Sequence, residues 1–164
     1  LSAQGIKVFV SHKREDAQIA GQVAARLQFN GLDTYLDVID DALAKDGPEL
    51  ADHIRARMSS CTQLLAVVTR ATQQSWWVPW EIGVATEKGH FLASFVAQQI
   101  DLPSYLVKWP YLRTITDVDL YAQESKRAES RLAKSLHTRD FAEGTTRAAA
   151  ARDFHRVLKS ALRQ

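Results

Sequence analysis

The chain is 164 residues long, 46% hydrophobic and 24% charged, with a net charge of +2. That balance excludes a disordered chain and a membrane protein as whole-chain descriptions, and a domain of this length buries enough surface to need no disulfide or structural metal. So small a net charge gives no electrostatic argument for nucleic acid as a partner.

Short apolar runs alternate with longer amphipathic stretches, the pattern of a parallel sheet covered by helices. The first strand is expected at residues 7–10, followed by Ser11-His12-Lys13-Arg14. Ile19, Val23 and Leu27 then recur every four residues on a helix over 15–29, which Asn30-Gly31 stops. Thr34-Tyr35-Leu36 reads as the second strand. The segment 37–48 carries four aspartates, a glycine and a proline, too punctuated for a regular element and therefore a candidate functional loop. Pro48 opens a helix with Leu50, Ile54 and Met58 inward, and the apolar run 64–68 reads as a strand buried on both faces. Ser75 caps a helix running to Lys88, Gly89 ends it, and residues 91–96 form the fourth strand. The proline-broken segments 102–106 and 109–112 suit a short helix and a short fifth strand. Two helices finish the chain, 117–136 with Val118, Ala128, Leu132 and Leu136 inward, and 146–162 with Phe154, Val157, Leu158 and Ala161 inward, joined by a linker at 137–144. Arg147, Arg152, Arg156, Lys159 and Arg163 read as one solvated face of the last helix.

The single cysteine, Cys61, has no partner for a disulfide and reads as a small buried hydrophobe. The N-terminus lacks the basic start and apolar stretch of a signal peptide, and no apolar run approaches the roughly 20 residues of a spanning helix. A cytoplasmic protein is expected, without membrane association.

In open α/β sheets ligands bind beyond the carboxyl ends of the strands, so the polar residues just after each apolar run are the candidates for chemistry. These are Ser11, His12, Lys13 and Arg14 after the first strand, Asp37 and its loop after the second, and the segment 69–81 after the third. Trp77 and Glu81 stand four residues apart, which on a helix puts an aromatic plane and a carboxylate on one face. That pair suits a planar base and a ribose. Without further information the pattern favours core tryptophans at Trp76, Trp77 and Trp80 beside a solvated Glu81. A phosphorelay receiver wants an acidic pair where Ser11-His12-Lys13-Arg14 stands. No glycine fingerprint for dinucleotides and no P-loop occurs, and His53, His90, His137 and His155 lack metal-ligand spacing, so no metal is expected.

Val8-Phe9-Val10-Ser11-His12 followed by an amphipathic helix resembles the opening box of Toll/interleukin-1 receptor (TIR) domains. Asp33-Thr34-Tyr35-Leu36-Asp37 resembles the strand entering their long second loop, and Ser59-Ser60-Cys61 with Ser75-Trp76-Trp77-Val78-Pro79-Trp80-Glu81 is similar to their third box. Three boxes in order cover residues 7–96, with a looser likeness at 102–119. The resemblance implies a flavodoxin-like α/β fold, a parallel sheet of about five strands flanked by helices with extra C-terminal helices. It places the TIR domain at 5–136, with a linker and helix at 137–164 packed on the same domain. By the motif of the NAD-processing members, it assigns the catalytic role to Glu81 and substrate contacts to Trp77, to Ser11, His12, Lys13 and Arg14, and to the loop opened by Asp37. Position 78 is valine where many animal members have cysteine. Asp40, Asp41 and Asp46 make the loop acidic, and Lys13, Arg14 and Lys45 are the charges that would offset it near a pyrophosphate. The resemblance thus implies NAD as substrate with no separate cofactor, self-association through TIR–TIR contacts, and an effector that senses the nucleotide product, as in Thoeris-like anti-phage signalling. A non-catalytic interaction module is the alternative within the same family.

Overall fold

In the computed structural model, which describes residues 5–38, 47–73, 83, 85–86, 89–97, 100–138 and 143–164, the apolar runs line up as parallel strands. β1 (Lys7–His12), β2 (Asp33–Val38), β3 (Gln63–Val68), β4 (Phe91–Val96) and β5 (Tyr111–Leu112) form one sheet in the order β2-β1-β3-β4-β5. Every neighbouring pair is parallel, with Ser11 beside Asp37 on one side and Ala66 on the other, and Val68 beside Val96. This is the flavodoxin-like order. β1 and β2 each run two residues further than the apolar pattern alone suggests, so Ser11, His12 and Asp37 end strands rather than follow them. Ladder pairing with the neighbouring strands carries polar residues that hydrophobicity would leave outside.

α1 (Ala17–Phe29) follows a 3-10 turn at Arg14–Asp16. It ends as Asn30-Gly31 predicts: Gly31 takes φ +83°, its N–H bonds Gln28 O at 2.9 Å, and the Leu32 N–H bonds Leu27 O at 3.0 Å. These two bonds close a Schellman motif, and the buried pair Leu27 and Leu32 supplies its apolar contact. α2 (Gly47–Met58) carries Pro48 in its first turn and buries Met58. A four-residue α3 (Arg70–Gln73) follows β3. Gly83, Ala85 and Thr86 are helical ahead of Gly89, which turns the chain with φ +69°. The remainder of the expected 75–88 helix lies outside the described residues. A 3-10 turn at Ser104–Leu106 precedes β5, and α4 (Ile115–Thr138) and α5 (Glu143–Ala161) complete the chain.

Alternation along the strands divides the core in two. Val8, Val10, Leu65, Val67, Phe91 and Phe95 face α1, α4 and α5, where Val23, Leu27, Tyr121 and Phe154 meet them. Phe9, Leu64, Ala66, Val68, Leu92 and Val96 face Met58, Cys61, Ala85 and Leu106. Phe154 stacks on Phe91 at 4.5 Å between centroids and meets Tyr121 edge-on at 5.7 Å, which fixes α5 to the sheet.

The C-terminal helices correct three expectations. Part of the linker expected at 137–144 is helical, because α4 continues through Thr138 and α5 starts at Glu143, while residues 139–142 lie outside the described ones. Ala161 is exposed and Val157 only half-buried. From Leu158 the inward stripe steps by four to Leu162, which packs on the core, so the three-residue step to Ala161 points away. Arg147 leaves the solvated basic face: it bonds Glu129 at 2.9 Å and Thr62 O at 3.0 Å, and its guanidinium lies 5.1 Å from the Phe91 ring centroid. It reaches a network in which Gln63, fully buried, bonds Tyr121, Ser125 and Glu129 of α4. At the far end Gln164 closes the outer edge of β5, accepting from Tyr111 N–H at 3.1 Å and donating to Tyr111 O at 2.5 Å. A side-chain amide there occupies backbone groups that an edge strand leaves open.

Candidate functional site

The strand order creates a crevice. From β1 the chain leaves through α1 on one face of the sheet, and from β3 it leaves toward Ala85 on the other face. The two connections diverge at the carboxyl ends of β1 and β3, the switch point where open α/β sheets bind ligands.

Ser11 and His12 form the buried end of β1, Lys13 is half-exposed and Arg14 exposed. The Asp16 N–H bonds Lys13 O at 2.9 Å and closes the 3-10 turn, which directs the Asp16 carboxylate inward. There it accepts from Thr69 Oγ1 at 2.8 Å. Thr69 follows β3 and caps α3, its Oγ1 accepting from Ala71 N–H at 3.1 Å while its own N–H donates to Thr72 Oγ1 at 2.7 Å. Asp16 is 8% exposed, Thr69 9% and Thr72 1%, so this tether between the two lips of the crevice is nearly dry. A hydrogen bond to a charged acceptor in such surroundings is a strong one.

On the β2 side, register and alternation put Ser11 and Asp37 next to each other on one face, above the stacked Phe9 and Tyr35 rings at 5.6 Å. Asp37 is only 3% exposed, and its carboxylate pairs with the Arg57 guanidinium from the last turn of α2. The pairing compensates its charge and ties the end of β2 to the last turn of α2. Lys13, Arg14 and Arg70 are the basic residues that directly follow β1 and β3, interspersed with the acids Glu15 and Asp16.

The fold thus gathers Ser11, His12, Lys13, Arg14 and Asp37 at one end of the sheet. Lys45, Trp77 and Glu81 lie outside the described residues, as does the loop at 39–46. Asp16 and Arg57 escape sequence reasoning as members of the site, and Thr69 and Thr72 enter it only within the segment 69–81, with no role of their own. Their partners stand 53 and 20 residues apart in the Asp16–Thr69 and Asp37–Arg57 pairs, so no spacing signals them. The one available hint is positional, an acid and a hydroxyl residue just after the two strands that flank the switch point.

Cys61 is buried, and burial pushes its thiol up, away from the thiolate a nucleophile needs. His155 accepts a hydrogen bond from Leu92 N–H at 2.8 Å, and burial, reinforced by the charge of Lys108, lowers its pKa to about 4. Among the described residues no helix is long and apolar enough to cross a membrane, and no group of three or more metal-ligating side chains gathers.

Comparison with known proteins shows what this chain is similar to. A family model described as TIR domain matches residues 8–136. A Bacillus cereus (strain MSX-D12) protein named probable 3' cyclic ADP-D-ribose synthase ThsB' is 32% identical over 79 residues, 46% of this chain and 41% of that protein, so less than half of the relative's length is matched. The crystal structure of a diflavin flavoprotein A3 from Nostoc sp. superposes with a TM-score of 0.44 at 13% identity, covering 97% of each chain.

Proposed function

The chain belongs to the TIR domain family, and on that premise we propose that it cleaves the nicotinamide–ribose bond of NAD. The products are nicotinamide and ADP-ribose or a cyclic ADP-ribose isomer, made as a signal in bacterial immunity by a cytoplasmic enzyme that needs no cofactor beyond its substrate. The observation that carries this reading is the tethered crevice at the carboxyl ends of β1 and β3, from whose far lip the segment leading to Trp77 and Glu81 departs. The name of the Bacillus cereus relative, a probable cyclic ADP-ribose synthase, supports it from a separate direction.

The chemistry asks little of the protein. Nicotinamide leaves as a neutral ring, so no general acid is required, and positive charge gathers on the ribose in an oxocarbenium-like transition state. A carboxylate beside that ribose stabilises the charge, and Glu81 supplies it. Trp77 excludes water and orients the base. Lys13 and Arg14 meet the phosphates, with Lys45 of the loop, while Asp37 is neutralised by Arg57. Self-association closes the site over NAD, and an effector senses the product.

The test is nicotinamide release by the purified protein beside Glu81→Gln. A folded variant that loses turnover by a hundredfold or more is expected, the usual loss when one preorganised electrostatic group is removed. Equal turnover removes the role from Glu81. No release from either protein returns the chain to a TIR interaction module.

A further inference from the structure

At the opposite end of the sheet, before β4 and β5 begin, lies a second cavity of about 210 Å³. Its floor is apolar, made by Ala148 and Ala151 of α5, and Leu92 of β4, whose side chain belongs to the other core, borders it. Trp109, half-buried, forms part of the wall, and the Lys108 ammonium lies 5.3 Å from its ring centroid. Arg152 of α5 brings a second exposed cation into the lining. Two histidines contribute with settled orientation. His90, 5% exposed, uses Nε2–H to donate to Cys61 O at 2.9 Å. His155 Nε2 accepts from Leu92 N–H, so the proton of the neutral ring sits on Nδ1 and makes that nitrogen a donor.

Among the described residues this lining holds two fixed positive charges and no carboxylate, over an apolar floor and beside an indole. A cavity of this size falls below the roughly 300–1,000 Å³ that takes drug-sized ligands, which limits the occupant to about one ring. A planar guanidinium selects a planar carboxylate, which it can meet with two parallel hydrogen bonds. We propose that this cavity between α5, β4 and the segment before β5 binds a small aromatic carboxylate, its ring against Ala148 and Ala151 beside Trp109 and its carboxylate toward Arg152 and Lys108. Because α5 and the Lys108–Trp109 segment are brought together only by tertiary folding, an occupant bridges them and stabilises the folded state. The site lies at the amino ends of the strands, away from the crevice, and does not depend on the NAD reading.

Benzoate is the probe, with benzamide as its uncharged twin, titrated into the full chain and followed by amide chemical shifts and by melting temperature. Saturable shifts confined to residues 89–92, 108–109 and 148–155 are expected with benzoate, at affinity at least tenfold above benzamide, together with a rise in melting temperature. Arg152→Gln and Lys108→Gln, singly and together, sit on exposed side chains and should fold normally while the double variant loses tenfold or more in benzoate affinity. Equal response to benzoate and benzamide, shifts that map elsewhere, or undiminished binding by a double variant with a normal melting temperature would each overturn the proposal.

Discussion

Thr69→Val tests whether the crevice is held together as the geometry implies. Valine keeps the volume and the branched shape but removes the Oγ1 that donates to Asp16 at 2.8 Å and accepts from Ala71 N–H at 3.1 Å. Losing a hydrogen bond to a buried charged acceptor costs about 1.5–3 kcal/mol, and losing a helix N-cap about 1 kcal/mol. The expected destabilisation is about 3 kcal/mol, which in a domain of this length lowers the melting temperature by about 6–12 °C. Denaturant unfolding of wild type, Thr69→Val, Asp16→Ala and the double variant closes a cycle in which the two sites should couple by about 1–3 kcal/mol. NAD cleavage per folded molecule should fall at least tenfold in Thr69→Val, since displacement of a site by about 1 Å costs up to a hundredfold. A variant within about 0.5 kcal/mol of wild type, the spread of ordinary surface substitutions, or additive effects in the cycle would refute the tether.

Phe154→Ala removes the ring stacked on Phe91 at 4.5 Å and should cost about 3–5 kcal/mol, read by denaturant midpoint. Burial lowers the pKa of folded His155 to about 4 from the ordinary 6.5, so between those values the unfolded chain binds more protons. Stability is therefore full above pH 6.5 and declines toward pH 4 by about 3 kcal/mol, and His155→Gln should flatten that part of the profile. Trp77→Phe should retain part of the NAD cleavage that Trp77→Ala loses; a large fall in melting temperature for Trp77→Ala with normal activity per folded molecule would make it a packing residue instead.

The sequence by itself determined the elements whose signals are local. Apolar runs at 64–68 and 91–96 became buried strands because they are hydrophobic on both faces, and Asn30-Gly31 ended α1 because glycine alone takes the required positive φ without strain. It also determined that Ser11–Arg14 and Asp37 lie at one end of the sheet, since any parallel α/β arrangement carries its strand ends there. Tertiary structure alone decided who meets whom. The order β2-β1-β3 sets Ser11 between Asp37 and Ala66, and it brings Asp16 to Thr69 across 53 residues and Arg57 to Asp37 across 20. It decided that Arg147 pairs with Glu129 rather than facing water, and that Leu162 rather than Ala161 completes the inward stripe of the last helix. A buried charge is stable only beside its partner, and a partner chosen by the crossing of distant elements leaves no periodicity in the chain to announce it.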